Sequence, residues 1–164
     1  MNLARYITED LVKLEMETIV EPYIEDSSRE KWLQRSKESI LAELVGLLNF
    51  GAKIGNQNKL LTDFINRERK ASTAIGYGVA VPHIRSLQAK DFIIGFARST
   101  PGYDFDAPDK ELTHLFFVMA APPYDDSLYL KAFKALTTLV AREDIRQELR
   151  DVTNTGEVIR ALRG

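Results

Sequence analysis

The chain has 164 residues, enough for one ordinary domain that buries roughly 70% of its unfolded surface and folds without a staple. Apolar residues make up 45% and charged residues 28%, with 9 Gly and 6 Pro, which excludes collagenous, low-complexity and broadly disordered chains. Lys plus Arg number 22 against 24 Asp plus Glu, a net charge of -2, so there is no basic surplus of the kind that nucleic-acid or anionic-membrane binding shows, and the absence of Cys removes disulfides, thiolate zinc sites and cysteine nucleophiles.

Met1–Asp10 carries Arg5, Glu9 and Asp10 and builds no signal-peptide core. The longest apolar run, Leu115–Ala121, is too short to span a bilayer, so the chain reads as cytoplasmic, without membrane insertion. Leu11, Leu14, Met16, Ile19 and Val20 suggest a short extended segment. Ser27 and Glu30 have capping-box spacing, and Trp32, Leu33, Ile40, Leu41, Leu44, Leu47 and Leu48 then share a helical face, in one helix or in two broken near Ser36. Asn56 can cap the next helix, striped by Leu60, Leu61, Phe64 and Ile65 and closed by the charged run 67–70.

Residues 74–82 change texture: two Gly, β-branched residues and a final Pro describe a turn leading into a short strand that ends at Pro82. Residues 91–98 and 115–121 are near-continuous apolar runs, expected as strands buried on both faces. Between them, 101–110 is expected as a polar loop in which Tyr103, Asp104, Phe105 and Asp106 are solvated. Asp126 or Ser127 can cap a helix built on Tyr129, Phe133, Leu136 and Val140, and short helices at 143–150 and 155–162 follow. No repeat or linker divides the chain, so 1–164 is expected to be one α/β domain with helices on both faces of a sheet.

Only His83 and His114 offer an imidazole. Pro82 cannot donate to a ladder, which should leave His83 at the mouth of the sheet, where α/β proteins place ligands. Short hydroxylic and glycine residues precede it at 72–78, with Arg67 and Arg69 upstream and Arg85 downstream. A nucleophilic imidazole, groups that bind oxygens and a guanidinium are what phosphoryl transfer onto histidine requires. On spacing alone an inert strand-end histidine, hydrogen-bonded and with the arginines in solvent, is the favoured reading. His114 is expected to be such a residue, satisfied by a backbone group. Nothing at ligand spacing supports a metal site, and Val81 stands where a dinucleotide fingerprint needs its third Gly.

The string Arg67-Glu68, then Ser72-Thr73-Ala74-Ile75-Gly76-Tyr77-Gly78-Val79-Ala80-Val81-Pro82-His83, resembles the active-site motif of the fructose/mannitol-type enzyme IIA domains of the bacterial phosphotransferase system, a group that includes nitrogen-regulatory IIA proteins. The resemblance implies a mixed β-sheet sandwiched between helices, as in mannitol-type enzyme IIA. It implies that His83 accepts a phosphoryl group from HPr or a paralogous phosphocarrier and passes it to a IIB partner or uses it as a regulatory signal. Arg67 matches the family's active-site arginine, Ser72 and Thr73 match its phosphate-binding turn, and no metal or organic cofactor is implied. Ala74 replaces a usual Gly, Ile84 replaces the Gly that commonly follows the histidine, and Tyr129 occupies the second-histidine position. If 74 or 84 required a positive φ, the backbone there would be strained. These departures motivate an alternative: a IIA-fold binding module, not phosphorylated, that regulates a transporter or kinase.

Overall fold

In the computed structural model, which describes residues 1–125 and 127–164, Ser28 rather than Ser27 opens the first helix. Its hydroxyl accepts from the Lys31 N–H at 3.3 Å, whereas the Ser27 hydroxyl donates to the Ile24 carbonyl, so Ser27 and Glu30 do not form a capping box. Helix α1 (Arg29–Leu48) runs unbroken through Ser36, whose hydroxyl donates back to the Trp32 carbonyl. Helix α2 (Gln57–Lys70) is capped by Asn56, which accepts from the Lys59 N–H at 3.0 Å.

Among the described residues six strands form one mixed sheet. They are β1 (Val12–Lys13), β2 (Ala74–Gly76), β3 (Val79–Ala80), β4 (His83–Arg85), β5 (Ile93–Tyr103) and β6 (Thr113–Ala121). The order is β1-β5-β6-β3-β2, with β4 also paired to β6. The extended segment expected over 11–20 therefore pairs only at Val12 and Lys13, parallel to β5. Strands β5 and β6 are the antiparallel centre, and β3 and β4 lie end to end along β6, parallel to it.

That last arrangement corrects one expectation. Pairing does not end at Pro82; it lapses at Val81–Pro82 and resumes at His83, which registers with Met119. The Pro82 carbonyl bridges the gap by accepting from the Met119 N–H at 2.9 Å. A proline can sit here because the missing donor falls between two short ladders rather than inside one.

The pleat of β6 divides the core. Leu115, Phe117, Met119 and Ala121 face one layer with Ala132, Leu136, Ile145 and Leu149, while Phe116, Val118 and Ala120 face the other with Ile40, Leu44, Leu48 and Phe64. The first layer holds α3 (Leu128–Val140), α4 (Glu143–Asp151) and α5 (Thr155–Ala161); the second holds α1 and α2. The expected loop is overturned at its aromatics: β5 runs on to Tyr103 through an irregularity after Arg98, and Tyr103 and Phe105 are buried in the second layer. Of the two residues expected to cap α3, Asp126 lies outside the described residues and Ser127 makes no side-chain cap bond among them; the Asp125 carboxylate accepts the Tyr129 N–H at 2.9 Å instead. No helix among the described residues is long and apolar enough to cross a membrane.

Candidate functional site

The turn that delivers the site is built from consecutive positive φ angles, Gly76 at 93°, Tyr77 at 57° and Gly78 at 76°. Two glycines make such a reversal accessible, and the Asp109 carboxylate holds it by accepting the Tyr77 N–H at 2.9 Å. Ala74 and Ile84 are not among the described residues with positive φ. Their side chains in place of the usual glycines therefore cost no backbone strain.

His83 is half-buried at the start of β4, against the Phe133 ring at 4.8 Å between centroids and the Tyr129 ring at 6.0 Å. Its Nδ1 lies 2.5 Å from the Val81 carbonyl oxygen. A carbonyl can only accept, so Nδ1 carries the proton and Nε2 keeps its lone pair. Burial is the largest cause that lowers the His83 pKa below its ordinary 6.5; the Val81 carbonyl opposes it, Arg67 adds to it, and Glu68 opposes it in turn. The imidazole is thereby kept neutral at neutral pH.

Arg67, on the last turn of α2, donates to the Ala71 carbonyl at 2.9 Å and lines a groove of about 650 Å³ beside the histidine. Lys70 lies on the same wall and Arg85 and Gln88 on the other; Asp63 is engaged across the groove by the Ser86 hydroxyl. His83 itself does not line this groove, although Ile84 and Arg85, which follow it in β4, do. The Arg85 guanidinium covers the Tyr129 ring at 4.9 Å. Burial pushes the Tyr129 hydroxyl up to about 12, so it remains a donor and does not titrate near neutrality as a histidine would.

Ser72 and Thr73, between α2 and β2, have their hydroxyls engaged internally, and neither lines the groove. Ser72 donates to the Phe105 carbonyl at 2.9 Å and accepts from the Ala74 N–H at 3.2 Å. Thr73 gives both its N–H and its hydroxyl to the Glu68 carboxylate, which the Lys37 ammonium meets at 3.2 Å. Sequence reasoning missed Glu68, taking residues 67–70 for a helix end. The signal was its place beside Arg67 and five residues before Thr73, where a reach back from the turn to the helix closes. His114 lies apart from the site, its Nδ1 3.0 Å from the Ser99 carbonyl, as expected of a strand-end histidine.

A mixed sheet between helix layers, with a neutral imidazole at the start of one strand, defines an α/β protein with a single histidine at its candidate site. Residues 31–164 match the family described as "Phosphoenolpyruvate-dependent sugar phosphotransferase system, EIIA 2", and the chain belongs to that family. It is 28% identical over 159 residues to the PTS system fructose-specific EIIABC component of Bacillus subtilis, covering 97% of this chain but 22% of that longer protein. It superposes on the nitrogen regulatory protein IIA-Ntr of Neisseria meningitidis with a TM-score of 0.75 at 23% identity, over 98% of both chains. It also superposes on enzyme IIA mannitol of Escherichia coli in complex with phosphorylated enzyme IIB mannitol, with a TM-score of 0.72 at 16% identity, over 94% of this chain and 95% of that one.

Proposed function

We propose that this chain is a phosphocarrier in which Nε2 of His83 accepts a phosphoryl group from an HPr-like protein and yields it to a IIB domain or to a regulated transporter or kinase. The observation that carries the reading is the neutral His83 imidazole, with Nδ1–H spent on the Val81 carbonyl and Nε2 left for attack. In the transfer the donor's P–N bond breaks as the new P–N bond forms in line at Nε2. The Nδ1 proton stays where it is, and the Val81 carbonyl accepts it more strongly once the ring is cationic. Arg67 offsets the charge on the transferred oxygens. Ser72 and Thr73 face those oxygens as the phosphate-binding turn, their hydroxyls exchanging the bonds they hold at rest while the Thr73 N–H stays on Glu68. Residues 1–164 act together as one IIA unit.

The mannitol IIA seen with its phosphorylated IIB supports a IIB-like recipient, and the nitrogen regulatory relative supports a signalling one. The rival, an unphosphorylated binding module, keeps one motive: Tyr129 lacks a titratable imidazole, whereas Ala74 and Ile84 adopt ordinary backbone angles. Intact mass after incubation with phosphoenolpyruvate, enzyme I and HPr separates the two. One acid-labile phosphoryl group on the wild type and none on His83→Ala supports the phosphocarrier. No gain while a control IIA is labelled in the same tube supports the binding module.

A further inference from the structure

The bonds around the site join into a single line. The Lys37 ammonium on α1 donates to Glu68 on α2 at 3.2 Å, and Glu68 accepts from the Thr73 N–H at 2.7 Å and from the Thr73 hydroxyl. The Thr73 carbonyl accepts the Val81 N–H at 3.0 Å, and the Val81 carbonyl accepts His83 Nδ1–H. Every member before the histidine is buried: Lys37 is 8% exposed, Glu68 6%, Thr73 4% and Val81 0%. The Lys37 ammonium also lies 5.0 Å from the Phe105 ring centroid and 4.0 Å from the Asp106 carboxylate, and the Phe105 carbonyl takes the neighbouring Ser72 hydroxyl.

We propose that Lys37 and Glu68 are positioning residues for His83: acting through Thr73 and Val81, they hold the imidazole as the Nδ1–H tautomer with Nε2 aimed outward. The proposal rests on His83 being the phosphoacceptor. Its warrant is that a buried ion pair gives little net stability over an apolar pair of the same volume, so its presence calls for another account. Here that account is specific. The carboxylate fixes the Thr73 peptide, which links α2 to the strand segment whose Val81 carbonyl selects which imidazole nitrogen is protonated. Without that selection either nitrogen can carry the proton, and Nε2 is a nucleophile in one tautomer only.

The test uses protein labelled with 15N-histidine, in which His114 is an internal control because its Nδ1 bonds the Ser99 carbonyl, outside this line. Long-range 1H–15N spectra are recorded for the wild type, the Lys37→Met/Glu68→Leu double variant and Thr73→Val, together with phosphoryl acceptance from HPr. Thr73→Val removes one bond without touching a charge, so it remains informative if the double variant folds poorly. The wild type is expected to show His83 as Nδ1–H alone. In the variants a second His83 tautomer should emerge while His114 stays unchanged, and the maximal transfer rate should fall about tenfold or more with KM for HPr unaltered. Lys37→Arg, which restores the charge, should recover the wild-type spectrum. A single Nδ1–H tautomer in both variants overturns the proposal whatever the rate, since Thr73 also faces the phosphoryl oxygens; a wild-type His83 protonated on Nε2 overturns it too. If the wild type accepts no phosphoryl group the phosphocarrier reading fails, yet the spectra still decide whether Lys37 and Glu68 set the tautomer.

Discussion

Replacing Lys37 alone should damage the fold more than replacing Lys37 and Glu68 together. In Lys37→Met the Glu68 carboxylate, with 4% of its side chain exposed, loses its counter-charge; breaking a buried pair from one side costs about 3–5 kcal/mol, and the two Thr73 bonds place this case near about 3. In Glu68→Leu the Lys37 ammonium keeps only the 4.0 Å approach of Asp106, and Thr73 loses both acceptors, which together cost about 4–5 kcal/mol. In the double variant neither charge is stranded, and the main deficit is the unsatisfied Thr73 donors, about 1–3 kcal/mol. The coupling energy from the cycle is therefore about 4 kcal/mol or more, a large share of the roughly 5–15 kcal/mol that holds a domain folded. Urea unfolding of all four proteins at pH 7, followed by far-UV circular dichroism, measures it. Additive single effects, with a double variant less stable than either single, would refute the claim that the pair is buried and coupled.

Other expectations follow from the same geometry. Arg98 donates to the carbonyls of Leu14, Leu149, Arg150 and Val152, tying the N-terminal segment and the end of α4 to β5, so Arg98→Met should cost about 3 kcal/mol in the same assay. Because the folded pKa of His83 lies below 6.5, the unfolded chain takes up its proton first as the pH falls. Stability should thus decline as the pH drops below about 6.5 and level off once the folded imidazole is itself protonated; His83→Gln should flatten that slope in thermal melts. Tyr129→His should add an ionisation near neutrality to the pH profile of phosphoryl acceptance, where the Tyr129 hydroxyl, at about 12, adds none.

Where a segment's own pattern determined its structure, the sequence was readable. The near-continuous apolar runs at 91–98 and 115–121 read as strands buried on both faces, and Asn56 ahead of the Leu60, Phe64 stripe as the cap of a helix, and both readings hold. The misreadings at Phe105 and Pro82 share a cause, since both depended on a partner distant in the chain. Phe105 looks like part of an acidic loop until Phe116 and Lys37 are brought against it. Pro82 looks like a strand terminus until β6 is seen to carry both short ladders. For the site, local texture around His83 favoured an inert strand end, and only the string from Arg67 to His83 as a whole singled the histidine out. Glu68 was part of that string, but its function is visible only with Lys37 and Thr73 beside it.

The central claim is that His83 presents Nε2 as the nucleophile, and the position of the phosphoryl group tests it most directly. Protein labelled with 15N-histidine, phosphorylated through enzyme I and HPr, would be examined for phosphorus coupling to each ring nitrogen. A phosphoryl group on Nε2 of His83, with the proton retained on Nδ1, is the predicted result. Phosphorylation at Nδ1 of His83, or at His114, would contradict the account.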